Sequence, residues 1–89
     1  MLNIAVLVSG GGTNLQALLD SEARGENPNG KITLVVASKP GVYALERAAK
    51  AGVEGVVVRR KDYATSEAFD AALLKTLKEH DIDLVVLAG

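Results

Sequence analysis

Six residues near the start of the chain, Ser9-Gly10-Gly11-Gly12-Thr13-Asn14, carry the clearest chemical signal in the sequence. Glycine has no Cβ, so this backbone can take left-handed angles and let a ligand come close. Thr13 is a favourable N-cap, and Gln16 three residues later completes a capping-box pattern. The first N–H groups of a helix opening there have no acceptor within the helix, and the helix dipole adds positive potential. Together they form an anion site, most often for phosphate. The Thr13 hydroxyl and the Asn14 amide are available as further donors. A bare strand-to-helix turn needs one glycine, whereas this one has three, which favours a bound anion.

The loop is of a particular kind. No Gly-Lys-Ser/Thr follows, so it is not a Walker loop. Gly10 and Gly12 match the first two positions of G-x-G-x-x-G, but Leu15 stands where the third glycine belongs. The acidic residue expected about 20 residues further on, after the next strand, is also missing; that strand ends in Ser38-Lys39. A dinucleotide is disfavoured, and a single phosphate, as on a sugar phosphate, fits better.

Other candidates for chemistry are few. The one histidine, His80, falls at the C-terminal end of a helix. A helix in a βα unit runs antiparallel to its strands, which places His80 at the edge opposite the glycine loop. It reads as a solvated helix-end residue favoured by the dipole. Asp81 and Asp83 share that edge and read as loop caps, and Asp62 as a turn residue. Arg59-Arg60-Lys61 and Lys39 follow strands and so face the ligand edge, as solvated basic turns or as attraction for an anion. Tyr43 and Phe69 read as core or helix-surface residues rather than stacking platforms.

Composition narrows the classes. The chain has 89 residues, 48% of them hydrophobic, a net charge of −1 and no cysteine. That charge implies no general affinity for nucleic acid or anionic membrane. Without cysteine there are no disulfides, no thiolate chemistry and no thiolate-metal site, which is compatible with a cytoplasmic protein. No other metal-ligand pattern is apparent. No apolar run approaches the ~20 residues of a membrane span, and Met1 leads straight into a strand without a basic signal-peptide region.

These residues must be held by alternating elements. Leu2 to Val8 is an apolar, β-branched run that predicts a buried strand, and Leu15, Leu18 and Leu19 give the helical spacing of a helix over Asn14 to Ala23. Residues 24–30 form a polar loop of turn residues. Lys31 to Ser38 is a second strand, apolar enough to be covered on both faces. A second helix over Tyr43 to Ala51 is expected to turn Leu45, Ala48 and Ala49 inward and Glu46, Arg47 and Lys50 outward, with Gly52 at C′. Val56 to Val58 is a third strand, followed by a polar loop through Tyr63. The third helix runs from Ser66 to His80 on a stripe of Phe69, Ala72, Leu73 and Leu77, and Leu84 to Leu87 is a fourth strand. The order βαβαβαβ implies an α/β fold with a parallel, Rossmann-like sheet, helices on both faces and strand order 3-2-1-4. The ligand crevice would lie at the switch point between strands one and four, with Gly10 to Gly12 and Ala88-Gly89 beside it. Leu84 to Leu87 is apolar on both faces and predicts an edge that wants a further neighbour.

The run Ile4 to Gln16 closely resembles the start of the phosphoribosylglycinamide formyltransferases. The segments Val36-Ala37-Ser38-Lys39, Ala44-Leu45-Glu46-Arg47-Ala48, Glu67-Ala68-Phe69-Asp70 and Asp83 to Gly89 keep the same register. The resemblance covers the whole chain and about the N-terminal half of such an enzyme. It implies half of a doubly wound formyltransferase domain and transfer of a formyl group from 10-formyltetrahydrofolate to the amine of glycinamide ribonucleotide. It also implies the ribonucleotide phosphate on Gly11, Gly12, Thr13 and Asn14. The folate pocket would be bordered here by Leu87, Ala88 and Gly89. It would also be bordered by Ser66, where family members often carry a basic residue. The family's catalytic Asn, His and Asp lie in its second half, so the resemblance implies no catalytic residue in this chain, no turnover by it alone, and a second half or another chain covering the open strand edge. Two other readings follow. One is a formyltetrahydrofolate deformylase, in which water replaces the amine; those enzymes carry a domain before the loop. The other is a non-catalytic phosphate-binding module acting by association.

Overall fold

The computed structural model describes residues 1–26 and 29–88; Asn27 and Pro28 of the polar loop, and Gly89 of the expected folate border, lie outside the described residues. The elements follow the expected order: β1 (Leu2–Val8), α1 (Thr13–Ala23), β2 (Gly30–Ala37), α2 (Tyr43–Lys50), β3 (Glu54–Val57), a 3-10 turn (Arg60–Asp62), α3 (Ser66–Glu79) and β4 (Leu84–Leu87). All strand pairs are parallel and the order is β3-β2-β1-β4. Where bounds differ from the hydropathy pattern, backbone pairing is the reason. Gly30 joins β2 opposite Leu2, and Glu54 and Gly55 join β3 opposite Leu34 and Val35. None of the three carries an apolar signal.

Chain reversal at the switch point sorts the helices between the faces. Ile4, Val6 and Val8 pack with Leu15 and Leu19 of α1 and Ala44 and Ala48 of α2. Ala5, Leu34 and Val36 pack with Leu77 of α3, flanked by the half-buried Phe69, Ala72 and Leu73. The β1-α1-β2-α2-β3 path steps in one direction across the sheet, so α1 and α2 share a face. The β3-α3-β4 crossover returns past β1, so α3 must cover the other face.

β2 holds an irregularity that the pattern concealed. Ile4 pairs with Ile32 but Ala5 pairs with Leu34, so Thr33 is an extra residue in the ladder. Ile32 and Leu34 therefore face opposite sides although they are two apart. The Ile32 N–H instead donates to the Glu22 carboxylate of α1, at 3.2 Å to each oxygen.

α2 differs from expectation in phase. Ala44 and Ala48 are its buried residues and Leu45 is half-buried, whereas Ala49, expected inward, is exposed. Close approach to the glycine loop selects the Ala44 face, as described below. The helix ends at Lys50; the Val53 N–H reaches the Ala48 carbonyl and the Gly52 N–H the Ala49 carbonyl. Gly52, at φ 75°, is the expected C′ glycine of this Schellman closure.

β4 is joined to β1 at the far edge. The Asn3 N–H donates to Asp83 Oδ2 at 2.8 Å, the Asp83 N–H to the Asn3 carbonyl at 2.8 Å, and Asn3 Nδ2 to the Asp81 carbonyl at 3.0 Å. Asp83 thus caps the strand entry by its side chain. Asp81 contributes its main-chain carbonyl at a left-handed φ of 54°. Leu84, Val85 and Leu87 remain exposed, so this strand presents apolar surface.

Candidate functional site

The glycine loop joins the C-terminal end of β1 to α1, beside the end of β4. Leu7 pairs with Leu87, and the Ala88 N–H donates to the Leu7 carbonyl at 3.0 Å. On the other side the Ser38 N–H donates to the Val8 carbonyl at 3.1 Å. The loop therefore stands at the switch point, as strand order requires.

The helix start corrects the capping expectation. Gly12, at φ 82° and ψ 30°, is the N-cap and makes no side-chain cap, and Thr13 is the first helical residue. The Gln16 N–H donates to the Gly12 carbonyl at 2.8 Å, which closes the first helical turn. The Gln16 side chain turns elsewhere: Nε2 donates to Asp20 Oδ1 at 2.9 Å, and Oε1 accepts from Arg47 Nη1 at 3.1 Å. A left-handed N-cap is open to glycine and disfavours threonine, so the cap falls one residue earlier than the capping-box pattern suggests. Thr13 and Asn14 are exposed and the first turn contains no acidic residue. The uncapped N–H groups and the dipole consequently face solvent with no carboxylate of that turn competing.

The three glycines have different reasons. A Cβ on Gly12 would stand 2.8 Å from Ala44 Cβ and 2.9 Å from Ala44 Cα. Gly12 is buried against α2 and needs to be glycine for packing and for φ alike. Gly10 and Gly11 are exposed, and among the described residues nothing lies within 4 Å of a built Cβ. Neither packing among the described residues nor a positive φ demands glycine there, and the two leave open space above the turn.

Arg47, expected outward, is half-buried and was missed as a site residue. Its Nε donates to the Gly11 carbonyl at 2.9 Å, and its guanidinium lies 4.7 Å from the Tyr43 ring centroid. Tyr43 is thus a helix-surface residue, as expected, and shelves the arginine. The Tyr43–Arg47 spacing is a local signal for that stacking. Nothing local signals a bond to a loop 36 residues earlier.

The remaining candidates fall into place around this edge. Lys39, Arg59, Arg60 and Lys61, with Ser38 and Pro40, line a hollow of about 320 Å³. Arg60 is already engaged: it donates to the Tyr63 carbonyl at 3.1 Å and to Ser66 Oγ at 3.2 Å, and lies 5.9 Å from the Phe69 ring centroid. Ser66 is the first residue of α3, behind the N-cap Thr65, whose hydroxyl accepts from the Ala68 N–H at 3.1 Å. Phe69 packs edge-on to Tyr63 at 6.1 Å between centroids, in the core layer rather than as a ligand platform. Asp62 closes the 3-10 turn. The structure brings Gly11 to Asn14 together in one turn and sets Leu87 and Ala88 beside β1. Ser66 joins them only through sharing the sheet's C-terminal edge.

His80 lies at the opposite edge, as expected, but is not merely solvated. Nε2 is 2.8 Å from Glu54 Oε2 at the start of β3, and Nδ1 is 2.8 Å from the Thr76 carbonyl. With both nitrogens protonated, both contacts are donations. The Thr76 carbonyl first, and then Glu54, raise its pKa above the ordinary 6.5. The raised folded value means that His80 stabilises the fold fully below its unfolded pKa, and that this is lost as pH rises through the folded one. Urea midpoints are therefore expected to fall as pH is raised from 6.5 upward, and His80→Gln is expected to flatten that slope. An equal slope in both proteins refutes the assignment.

Among the described residues, no group of three or more His, Cys, Asp or Glu is arranged to hold a metal ion, and no helix is long and apolar enough to cross a membrane.

Comparison with known proteins agrees with this fold. Residues 2–89 match the family model described as formyl transferase. The trifunctional purine biosynthetic protein adenosine-3 of Chironomus tentans is 45% identical over 87 residues, which are 97% of this chain and 6% of that protein. Phosphoribosylglycinamide formyltransferase of Haemophilus influenzae is 40% identical over 89 residues, all of this chain and 42% of that protein. The crystal structure of glycinamide ribonucleotide transformylase 1 from Symbiobacterium toebii superposes with a TM-score of 0.93 at 45% identity, covering 100% of this chain and 42% of that one. The chain thus spans less than half the length of these relatives.

Proposed function

The chain belongs to the formyl transferase family, and from that membership we propose that it carries the ribonucleotide-phosphate site of a phosphoribosylglycinamide formyltransferase. One observation carries the reading. A helix start with a glycine N-cap and no carboxylate in its first turn lies at the switch point of a parallel sheet, beside two glycines that no contact among the described residues requires. The phosphate of glycinamide ribonucleotide would be held by the main chain of Gly11 and Gly12 and by Thr13 and Asn14.

The second substrate in this reading is 10-formyltetrahydrofolate, which supplies the formyl carbon that the ribonucleotide amine attacks. The residues present fit part of its site. Leu87 is 78% exposed at the end of β4 and offers apolar surface beside the loop. Ala88 follows it, buried, and Gly89 completes that border by position in the sequence. Ser66 offers a hydroxyl already accepting from Arg60. The role of these residues is to bind and orient: anchoring the phosphate fixes the distance from amine to folate and converts part of the entropic barrier into binding. Groups that accept the amine proton and bind the oxyanion come, in this reading, from outside these 89 residues. The setting is de novo purine synthesis in the cytoplasm.

Calorimetric titration of glycinamide ribonucleotide, with ribose 5-phosphate and inorganic phosphate as controls, tests the site. Thr13 is an exposed first-turn residue that caps nothing, so Thr13→Ala is expected to change stability by less than about 0.5 kcal/mol. The loss of a hydrogen bond to a charged group is expected to weaken binding by about 1.5–3 kcal/mol, or about 10- to 150-fold. Unchanged ribonucleotide affinity in Thr13→Ala removes Thr13 from the site; no binding by the folded wild-type chain overturns the proposal.

A further inference from the structure

We infer that Arg47 is a positioning residue, whose guanidinium holds the Gly11–Gly12 peptide with the Gly12 N–H facing the bound phosphate. The inference rests on the reading of the loop as a phosphate site and deepens it.

The geometry begins at one peptide plane. A trans peptide points its C=O and its N–H in opposite directions. The Gly11 carbonyl accepts from Arg47 Nε at 2.9 Å. The N–H of the same peptide unit, which belongs to Gly12, is therefore directed away from Arg47 and α2. Between two glycines such a plane rotates with little steric resistance. Among the described residues, nothing lies within 4 Å of a Cβ built on Gly11 to stop it. Without Arg47 the carbonyl is free to turn toward the anion and present a repelling dipole where a donor is needed.

Arg47 is itself held by Gln16 and Tyr43, and Gln16 in turn by Asp20. Nη1 donates to Gln16 Oε1 at 3.1 Å, Gln16 Nε2 donates to Asp20 Oδ1 at 2.9 Å, and the guanidinium lies over Tyr43 at 4.7 Å. A planar fork can meet the Gly11 carbonyl and the Gln16 amide at once, while its face rests on a ring. A lysine ammonium keeps the charge but loses that fixed fork. The arrangement links the loop, the first turns of α1 and the face of α2, all of which the phosphate would otherwise have to organise on binding.

The test separates orientation from charge. In the ligand-free protein, the Gly11 carbonyl carbon and Gly12 amide nitrogen resonances are compared in wild type, Arg47→Met and Arg47→Lys, with melting curves as the control for folding. Both substitutions are expected to shift these resonances and to weaken binding of ribose 5-phosphate and glycinamide ribonucleotide about tenfold, the scale of losing one donor to a charged group. Unchanged Gly11 and Gly12 resonances in Arg47→Met overturn the inference whether or not a ligand binds. Wild-type affinity in Arg47→Lys also overturns it, because charge alone then suffices. A wild-type protein that binds neither ligand counts against the proposed function instead, and the resonance comparison still decides what Arg47 holds.

Discussion

Gly12→Ala is expected to destabilise the chain by about 2–5 kcal/mol, from about 1–2 kcal/mol for a left-handed non-glycine residue and about 1–3 kcal/mol for overpacking. The left-handed contribution follows from φ 82° at the N-cap of α1. The overpacking contribution follows from a methyl placed 2.8 Å from Ala44 Cβ and 2.9 Å from Ala44 Cα. The second of these contacts is to backbone, so rotating a side chain cannot relieve it. In a domain of this size, thermal unfolding is expected about 10 °C lower or more. Gly11→Ala is the matched control. Among the described residues nothing lies within 4 Å of its built Cβ, and the melting temperature is expected to stay near wild type while phosphate binding weakens, because the methyl occupies the proposed ligand's approach. Adding Ala44→Gly to Gly12→Ala removes the 2.8 Å contact and leaves the 2.9 Å contact and the positive φ, so stability is expected to return only in part. A Gly12→Ala protein that melts with wild type means that the loop does not pack on α2 as described.

Leu15→Ala is expected to cost about 2–5 kcal/mol, the range for truncating a fully buried leucine. Leu15 has no exposed surface and joins β1, β2 and α2 in the larger core cluster. It also stands in the first turn of α1, two residues beyond Thr13. The cavity therefore opens directly beneath the N–H groups assigned to the phosphate. A fall in the urea midpoint is expected together with weaker ribonucleotide binding, whereas Leu18→Ala, at a half-buried position, is expected to show a smaller stability loss. Stability loss with full affinity separates the two roles and shows that the first turn is held by the loop alone. Leu15 also explains why the glycine run is not a dinucleotide fingerprint. The third fingerprint glycine lets helix and strand approach closely, and here a leucine fills that gap.

Much of this molecule is legible along the chain because its information is local. The alternation of apolar runs with helical spacing names four strands and three long helices, and Gly52 marks one helix end through its own backbone angle. Topology follows from order, since short connections and right-handed crossovers leave few arrangements for βαβαβαβ. The glycine loop is legible for the same reason: it marks the change from an apolar, β-branched run to helical spacing at a place where the backbone needs freedom.

What the chain could not reveal depends on partners distant in sequence. Thr13 and Gln16 have the residue types of a capping box. The cap passes to Gly12 because α2 presses Ala44 against it and excludes a side chain. Arg47 has the residue type of a solvated face and becomes the support of the loop because that close packing brings it under the Gly11 carbonyl. The extra residue at Thr33 is invisible in a continuous apolar run, since only the register against β1 defines it. Composition and spacing by themselves determined which elements form and their order in the sheet. The tertiary structure alone decided which glycine is obligatory, which arginine bonds the Gly11 carbonyl and which alanine faces inward, because those choices are set by contacts across the fold rather than by neighbours in the chain.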